Sequence, residues 1–186
     1  MLTKSSLEQI RYNLPKQKRI LMQKTKLFTD SSVNPQKKIG YASYLYITDE
    51  DLSLDDLNQQ IKTKKFENTS STKLELQSLL WALKYIPNDT VSITVYTDCQ
   101  NIIGLKDRRK GFEKNNYYTG KGTLINNHEL YKEFYILTDK LDCKFIKVKG
   151  HKKSSLKDSI DTIFTLVDKS SRNKLREFIH QQERPL

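Results

Sequence analysis

Residues 72–98 read TKLELQSLLWALKYIPNDTVSITVYTD, a helix period that gives way to a strand period. Leu76, Leu79, Leu80 and Leu83 recur at i, i+3, i+4 and i+7, the spacing of one helical face. Trp81, Ala82 and Ile86 widen that stripe, so a largely buried helix is predicted from about Thr72 to Ile86. Pro87-Asn88-Asp89 stops it. Val91, Ile93 and Val95 then alternate, the period of a strand from Val91 to Thr97.

The flanking sequence says what kind of sheet receives this helix and strand. Upstream, Lys24 to Thr29 reads as a strand running into Asp30. Asn34-Pro35 reads as a turn and the Tyr-rich stretch Gly40 to Ile47 as a second strand. Acidic loop residues 49–56 lead to a third strand near Gln59 to Phe66, completing an antiparallel meander. Downstream, one helix starts near Cys99, another runs from about Asn127 to Leu141, and Phe145 to Val148 forms a fifth strand. A last helix runs from about Lys157 to the high 170s, with Ile160, Ile163, Phe164, Val167 and Ser171 on one side. A meander followed by strand–helix alternation implies an α/β fold. Its five-stranded mixed sheet has three antiparallel strands, then parallel ones, flanked by helices.

Composition narrows the function. The chain has 186 residues, enough for one domain with a short appendage. Its ten Tyr and seven Phe argue against a disordered chain. The longest apolar run, Leu79 to Leu83, is five residues, whereas a membrane span needs about 20. The N-terminus has no apolar core of a secretory signal, and Cys99 and Cys143 make no disulfide framework, so a reducing cytoplasm is expected. Lys+Arg is 33 against Asp+Glu 22, a net charge of +11. Such a domain usually meets a polyanion, the bland alternative being a solvated lysine-rich surface.

Four carboxylates sit where a core would not want them. Asp30 and Asp98 each end a predicted strand, Glu75 lies between Leu74 and Leu76 on the buried helix, and Asp168 lies in the last helix. Singly, each has an ordinary explanation: a turn at Asp30, a helix cap at Asp98, a dipole contact at Glu75, a solvent-facing Asp168. Together they would crowd like charges, which raises pKa values until a cation removes the penalty. Mg²⁺ prefers oxygen ligands and keeps waters, so it suits carboxylates shared with substrate phosphates. Two such ions about 4 Å apart form a phosphodiester-cleaving site.

At these residues the sequence resembles type 1 ribonuclease H. The resemblance rests on Phe28-Thr29-Asp30-Ser31-Ser32 with Asn34-Pro35, Leu74-Glu75-Leu76 with Trp81-Ala82-Leu83, and Tyr96-Thr97-Asp98-Cys99-Gln100. Lys149-Gly150-His151 and Val167-Asp168-Lys169-Ser170-Ser171-Arg172 complete it, so that it covers about residues 26–175. It implies a domain at 26–180 and a tail at 181–186, and Lys16, Lys18, Arg19 and Lys24 mark residues 1–25 as a basic appendage before it. It also implies cleavage of the RNA strand of RNA–DNA hybrids by two Mg²⁺ ions, with Mn²⁺ an alternative, leaving 5′-phosphate and 3′-hydroxyl ends. No small-molecule cofactor and a monomer are expected. Asp30, Glu75, Asp98 and Asp168 would bind metal, His151 would assist, and Asn34, Gln100 and Asn127 would contact substrate. Ser71-Thr72 stands where the family more often has an Asn/Gln pair that contacts the minor groove. Spacing alone would also allow Asp161 as the fourth ligand, and Asp168 is preferred for its flanking Ser171-Arg172.

Residues 106–121 add a basic stretch. Lys106, Arg108, Arg109, Lys110, Lys114 and Lys121 are interleaved with Phe112, Tyr117 and Tyr118. Arg108, Arg109 and Lys110 are expected to neutralise phosphates, and the aromatics to pack on sugars or bases. Two rival readings are a catalytically silent hybrid- or RNA-duplex-binding module and a DNA-cutting relative of the same fold.

Overall fold

The computed structural model describes residues 25–48, 52–86, 90, 92–149 and 154–183. The chain runs β1 (Thr25–Asn34), β2 (Ile39–Ile47), α1 (Leu54–Gln60), β3 (Lys62–Glu67), α2 (Ser71–Lys84) and β4 (Ser92–Thr97). It continues through α3 (Gln100–Ile103), α4 (Leu105–Lys114), α5 (His128–Lys140), β5 (Asp142–Lys147), a 3₁₀ turn (Ser154–Leu156) and α6 (Ser159–Gln182). The sheet order is β3-β2-β1-β4-β5, antiparallel from β3 to β1 and parallel from β1 to β5. This is the mixed sheet the sequence implies. The appendage expected at the N-terminus, apart from Thr25, lies outside the described residues.

β1 is central and is buried on both faces by alternate residues. Leu27 joins the core built with Leu76, Leu79 and Leu83 of α2 and Phe134 of α5. Phe28 joins the opposite core, with Phe164 and Val167 of α6 and Leu57 of α1, and stacks on Tyr96 of β4 at 4.7 Å between ring centroids. Odd-numbered positions of β1 therefore face α2 and even-numbered positions face α6.

Four elements depart from expectation. β1 does not end at Asp30; the antiparallel ladder pairs Asp30 with Ser43 and continues to Asn34 opposite Ile39. Polar residues 31–34 gave no apolar alternation to mark this, yet β2 supplies their backbone partners. The acidic loop 49–56 becomes α1 from Leu54, because the Ser53 hydroxyl accepts the Asp56 N–H at 3.2 Å and Leu57 has a core to enter. β5 begins at Asp142, in register with Ser92, three residues before its apolar run. The basic stretch begins as a helix, α4, mounted on α5 by the Tyr135 hydroxyl donating to the Leu105 carbonyl at 2.9 Å.

Gly40 governs how closely α2 approaches the sheet. A β-carbon there would strike Leu74 Cδ2 and stand 2.7 Å from the Ser32 carbonyl oxygen. Only glycine lets Leu74, and with it the neighbouring Glu75, lie down on β2. We expect Gly40→Ala to cost about 1–3 kcal/mol by overpacking, read from urea unfolding. Unchanged stability would contradict this packing.

Candidate active site

The site follows from where β4 stops. Its last pairing with β1 sets Phe28 beside Tyr96, so Asp30 and Asp98 stand two residues further along neighbouring chain segments. β1 runs on to Asn34 while β4 ends at Thr97, which opens the sheet beside Asp30. Glu75, on the first turns of α2, reaches this opening from the other face. One carboxylate oxygen from each of Asp30, Glu75 and Asp98 falls within 4.8 Å of the other two.

The charges feel one another. Asp30 is 6% exposed, and its carboxyl is pushed up to about 7, first by burial and then by the charges of Asp168 and Asp98. Burial likewise raises Glu75 well above the usual carboxylate range, with Asp30 and then Asp98 adding to it. Two hydroxyls oppose the rise. Ser171 on α6 donates to Asp30 Oδ2 at 3.0 Å, and Ser31 donates to Glu75 Oε1 at 2.8 Å. The second Glu75 oxygen, Oε2, is buried and has no hydrogen-bond partner.

The two candidates for the fourth carboxylate have different surroundings, and neither belongs to the trio formed by Asp30, Glu75 and Asp98. Asp168 carries enough charge near Asp30 to raise it, one helical turn before Ser171, and pairs with Arg172. Asp161 lies at the start of α6 in a capping box, accepting the Asp158 N–H at 3.1 Å while Asp158 accepts the Asp161 N–H at 2.8 Å. Its carboxylate serves the helix end.

The remaining expected residues are scattered around this centre. Asn34 closes β1 and accepts the Lys37 N–H. Ser71 and Thr72 are exposed on the first turn of α2. Gln100 opens α3 and accepts from Lys147 Nζ at 2.6 Å. Asn127 caps α5 in the left-handed region at φ 61°. His151 lies outside the described residues. Arg108 turns inward, donating to Asn101 Oδ1 at 2.6 Å and to the Gly104 carbonyl, so it braces the junction of α3 and α4. Arg109 is held by Asp139 and Glu113. Of the expected trio Lys110 is the exposed member. Phe112 stacks on Tyr131 and Tyr117 is buried, leaving Tyr118 as the exposed aromatic. These packing roles correct the expectation that Phe112 and Tyr117 meet sugars or bases.

Sequence reading missed Ser31, Ser171 as a hydroxyl donor, and Lys147 as the partner of Gln100. Strand alternation was the available signal for Ser31: if Leu27 faces α2, so does Ser31.

Three converging carboxylates, one with a buried orphan oxygen, make an all-oxygen donor set that fits a hard divalent cation. With the mixed sheet, they define a ribonuclease H-like fold carrying an acidic centre. A foamy viral protease–reverse transcriptase in complex with double-stranded DNA superposes with a TM-score of 0.61 at 13% identity, over 86% of this chain and 99% of that one. The RNase H family profile matches residues 22–163, a span that holds Asp30, Glu75 and Asp98 and stops short of Asp168. Ribonuclease H of Caldicellulosiruptor saccharolyticus is 29% identical over 60% of this chain and 72% of its own. Ribonuclease H of Ruthia magnifica is 24% identical over 81% of this chain and 99% of its own. The chain belongs to the RNase H family, nucleases that use divalent metals.

Asp30 binds its proton more tightly folded than unfolded, so without metal its stabilising contribution is complete below its ordinary value of 3.8 and is lost as pH rises through about 7. Ordinary carboxylates are already ionised in that upper range, so the metal-free melting temperature should fall between pH 5 and pH 8. Saturating Mg²⁺ should raise it more at pH 8 than at pH 5, and an equal rise at both would contradict a carboxylate cation site. We also expect Asp161→Ala to cost about 1 kcal/mol of stability with the Mg²⁺ dependence of turnover unchanged. Asp168→Asn should raise the Mg²⁺ concentration for half-maximal rate, and the opposite pattern would make Asp161 the ligand.

Proposed function

We propose that this chain is an endoribonuclease that hydrolyses the RNA strand of RNA–DNA hybrids, leaving 5′-phosphate and 3′-hydroxyl ends. The observation that carries this reading is the convergence of Asp30, Glu75 and Asp98 beside β1, where β4 ends, in a chain of the RNase H family. Asp30, Glu75, Asp98 and Asp168 would hold two divalent cations, Mg²⁺ or Mn²⁺. When bound, such ions activate the attacking water and offset charge on the leaving 3′ oxygen.

The protein's own groups do the rest. Crowded carboxylates would hold the cations where a phosphodiester can reach them, and Asp98, the most open of the three, would face the arriving strand. His151 would carry a proton, its ordinary pKa being close to neutrality. Gln100 with Lys147, Asn34, Ser71, Thr72 and Asn127 would grip the backbones. Exposed Lys110 and Lys114 on α4 would meet phosphates further off. Arg108 and Arg109 support that surface by fixing α4, and Arg109 reaches substrate only by leaving Asp139 and Glu113. The 2′-hydroxyl lets such a site tell RNA from DNA. The enzyme would act as a cytoplasmic monomer.

The test is cleavage of an end-labelled hybrid beside an RNA duplex and a DNA duplex, with and without Mg²⁺. The expected result is cleavage of the hybrid's RNA strand only, and only with metal, falling to background in Asp98→Asn while hybrid binding persists. Cleavage of the DNA duplex, or near-native turnover by Asp98→Asn, would contradict the proposal.

A further inference from the structure

We infer that the Ser31 hydroxyl is a positioning group that sets how tightly Glu75 binds a cation. The inference rests on the reading of the acidic cluster as a cation site.

Asp30 and Ser31 are consecutive residues on a strand, so their side chains leave opposite faces. Asp30 goes toward α6, where Ser171 meets it, and Ser31 goes toward α2, where it meets Glu75. One dipeptide thus contributes a carboxylate to the cluster directly and orients a second from behind. The Ser31–Glu75 bond spans 44 residues of sequence and joins β1 to α2 at 2.8 Å.

The two Glu75 oxygens differ as a result. Oε1 is occupied by Ser31, and Oε2 is buried without a partner. A buried carboxylate oxygen left unsatisfied is costly, and a cation at the cluster would satisfy it. Glutamate has three side-chain torsions, and a donor fixing Oε1 removes much of the freedom that cation binding would otherwise have to freeze. Hydrogen bonds that orient metal-ligating carboxylates change metal affinity by about 10–100-fold when removed.

A purely architectural reading competes, in which Ser31 merely ties α2 to the sheet. That role predicts a lower melting temperature for the metal-free protein and no change in cation affinity. Mn²⁺ binding to the full chain without nucleic acid, measured by isothermal titration calorimetry, separates the two. Ser31→Ala and Ser31→Gly should each weaken Mn²⁺ binding by about tenfold, whereas Ser31→Thr, which keeps the hydroxyl, should stay within about twofold of wild type. Hybrid KM should be unchanged in all three at saturating metal. Wild-type affinity in Ser31→Ala, or a Ser31→Thr loss as large as that of Ser31→Ala, overturns the inference alone. A wild-type protein that binds no Mn²⁺ overturns the cation-site reading and this inference with it.

Discussion

Mutual repulsion among carboxylates held at one place is the constraint on which this structure turns. Each of Asp30, Glu75 and Asp98 would be unremarkable alone. Within 4.8 Å of one another, and with Asp168 adding its field, they cannot all be charged without help. The fold accepts that cost at the middle strand of its sheet, where a carboxylate is least welcome. The local donors, Ser171 on Asp30 and Ser31 on Glu75, soften the cost without cancelling it. What remains is a demand for positive charge, which a divalent cation can meet.

The architecture delivers those groups through one strand. β1 packs on α2 with its odd positions and on α6 with its even ones, so it is the element both helices are aligned to. The parallel β4 places Asp98 alongside Asp30, and its early end leaves the opening through which a substrate backbone would enter. Gly40 lets α2 settle close enough for Glu75 to join from the opposite face. None of these contacts is chemical in purpose, yet a small change in any of them would move an oxygen of the cluster.

The fold was legible because its signals are periodic. The helix of α2, the alternation in β4 and the one-sided pattern of α6 could each be counted, and their order fixed the mixed sheet. What escaped detection was written in polar residues. Residues 31–34 form strand only because β2 pairs with them, and α1 exists because Ser53 caps it and Leu57 finds a core. The acidic centre was legible as carboxylates set among apolar neighbours, although Asp30 lies inside β1 and not at its end, and Asp161 and Asp168, two turns apart on one helix, could not be separated by spacing. Their surroundings differ: Asp161 is engaged in a local capping box, whereas Asp168 lies near enough to Asp30, across the fold, for its charge to raise that carboxyl. Arginine partners were invisible for a related reason. Nothing in residues 106–121 announces that Asn101 will hold Arg108 or that Asp139 will hold Arg109.

Divalent cations are expected to bind at the carboxylate cluster beside β1, where β4 ends. Anomalous X-ray scattering from crystals soaked in Mn²⁺ tests it most directly. Anomalous peaks are expected within coordination distance of carboxylate oxygens of Asp30, Glu75 and Asp98, about 2.0–2.6 Å by analogy with other hard oxygen-bound cations. Mn²⁺ bound only elsewhere on the molecule, with these three carboxylates lacking a peak at saturating metal, would contradict it.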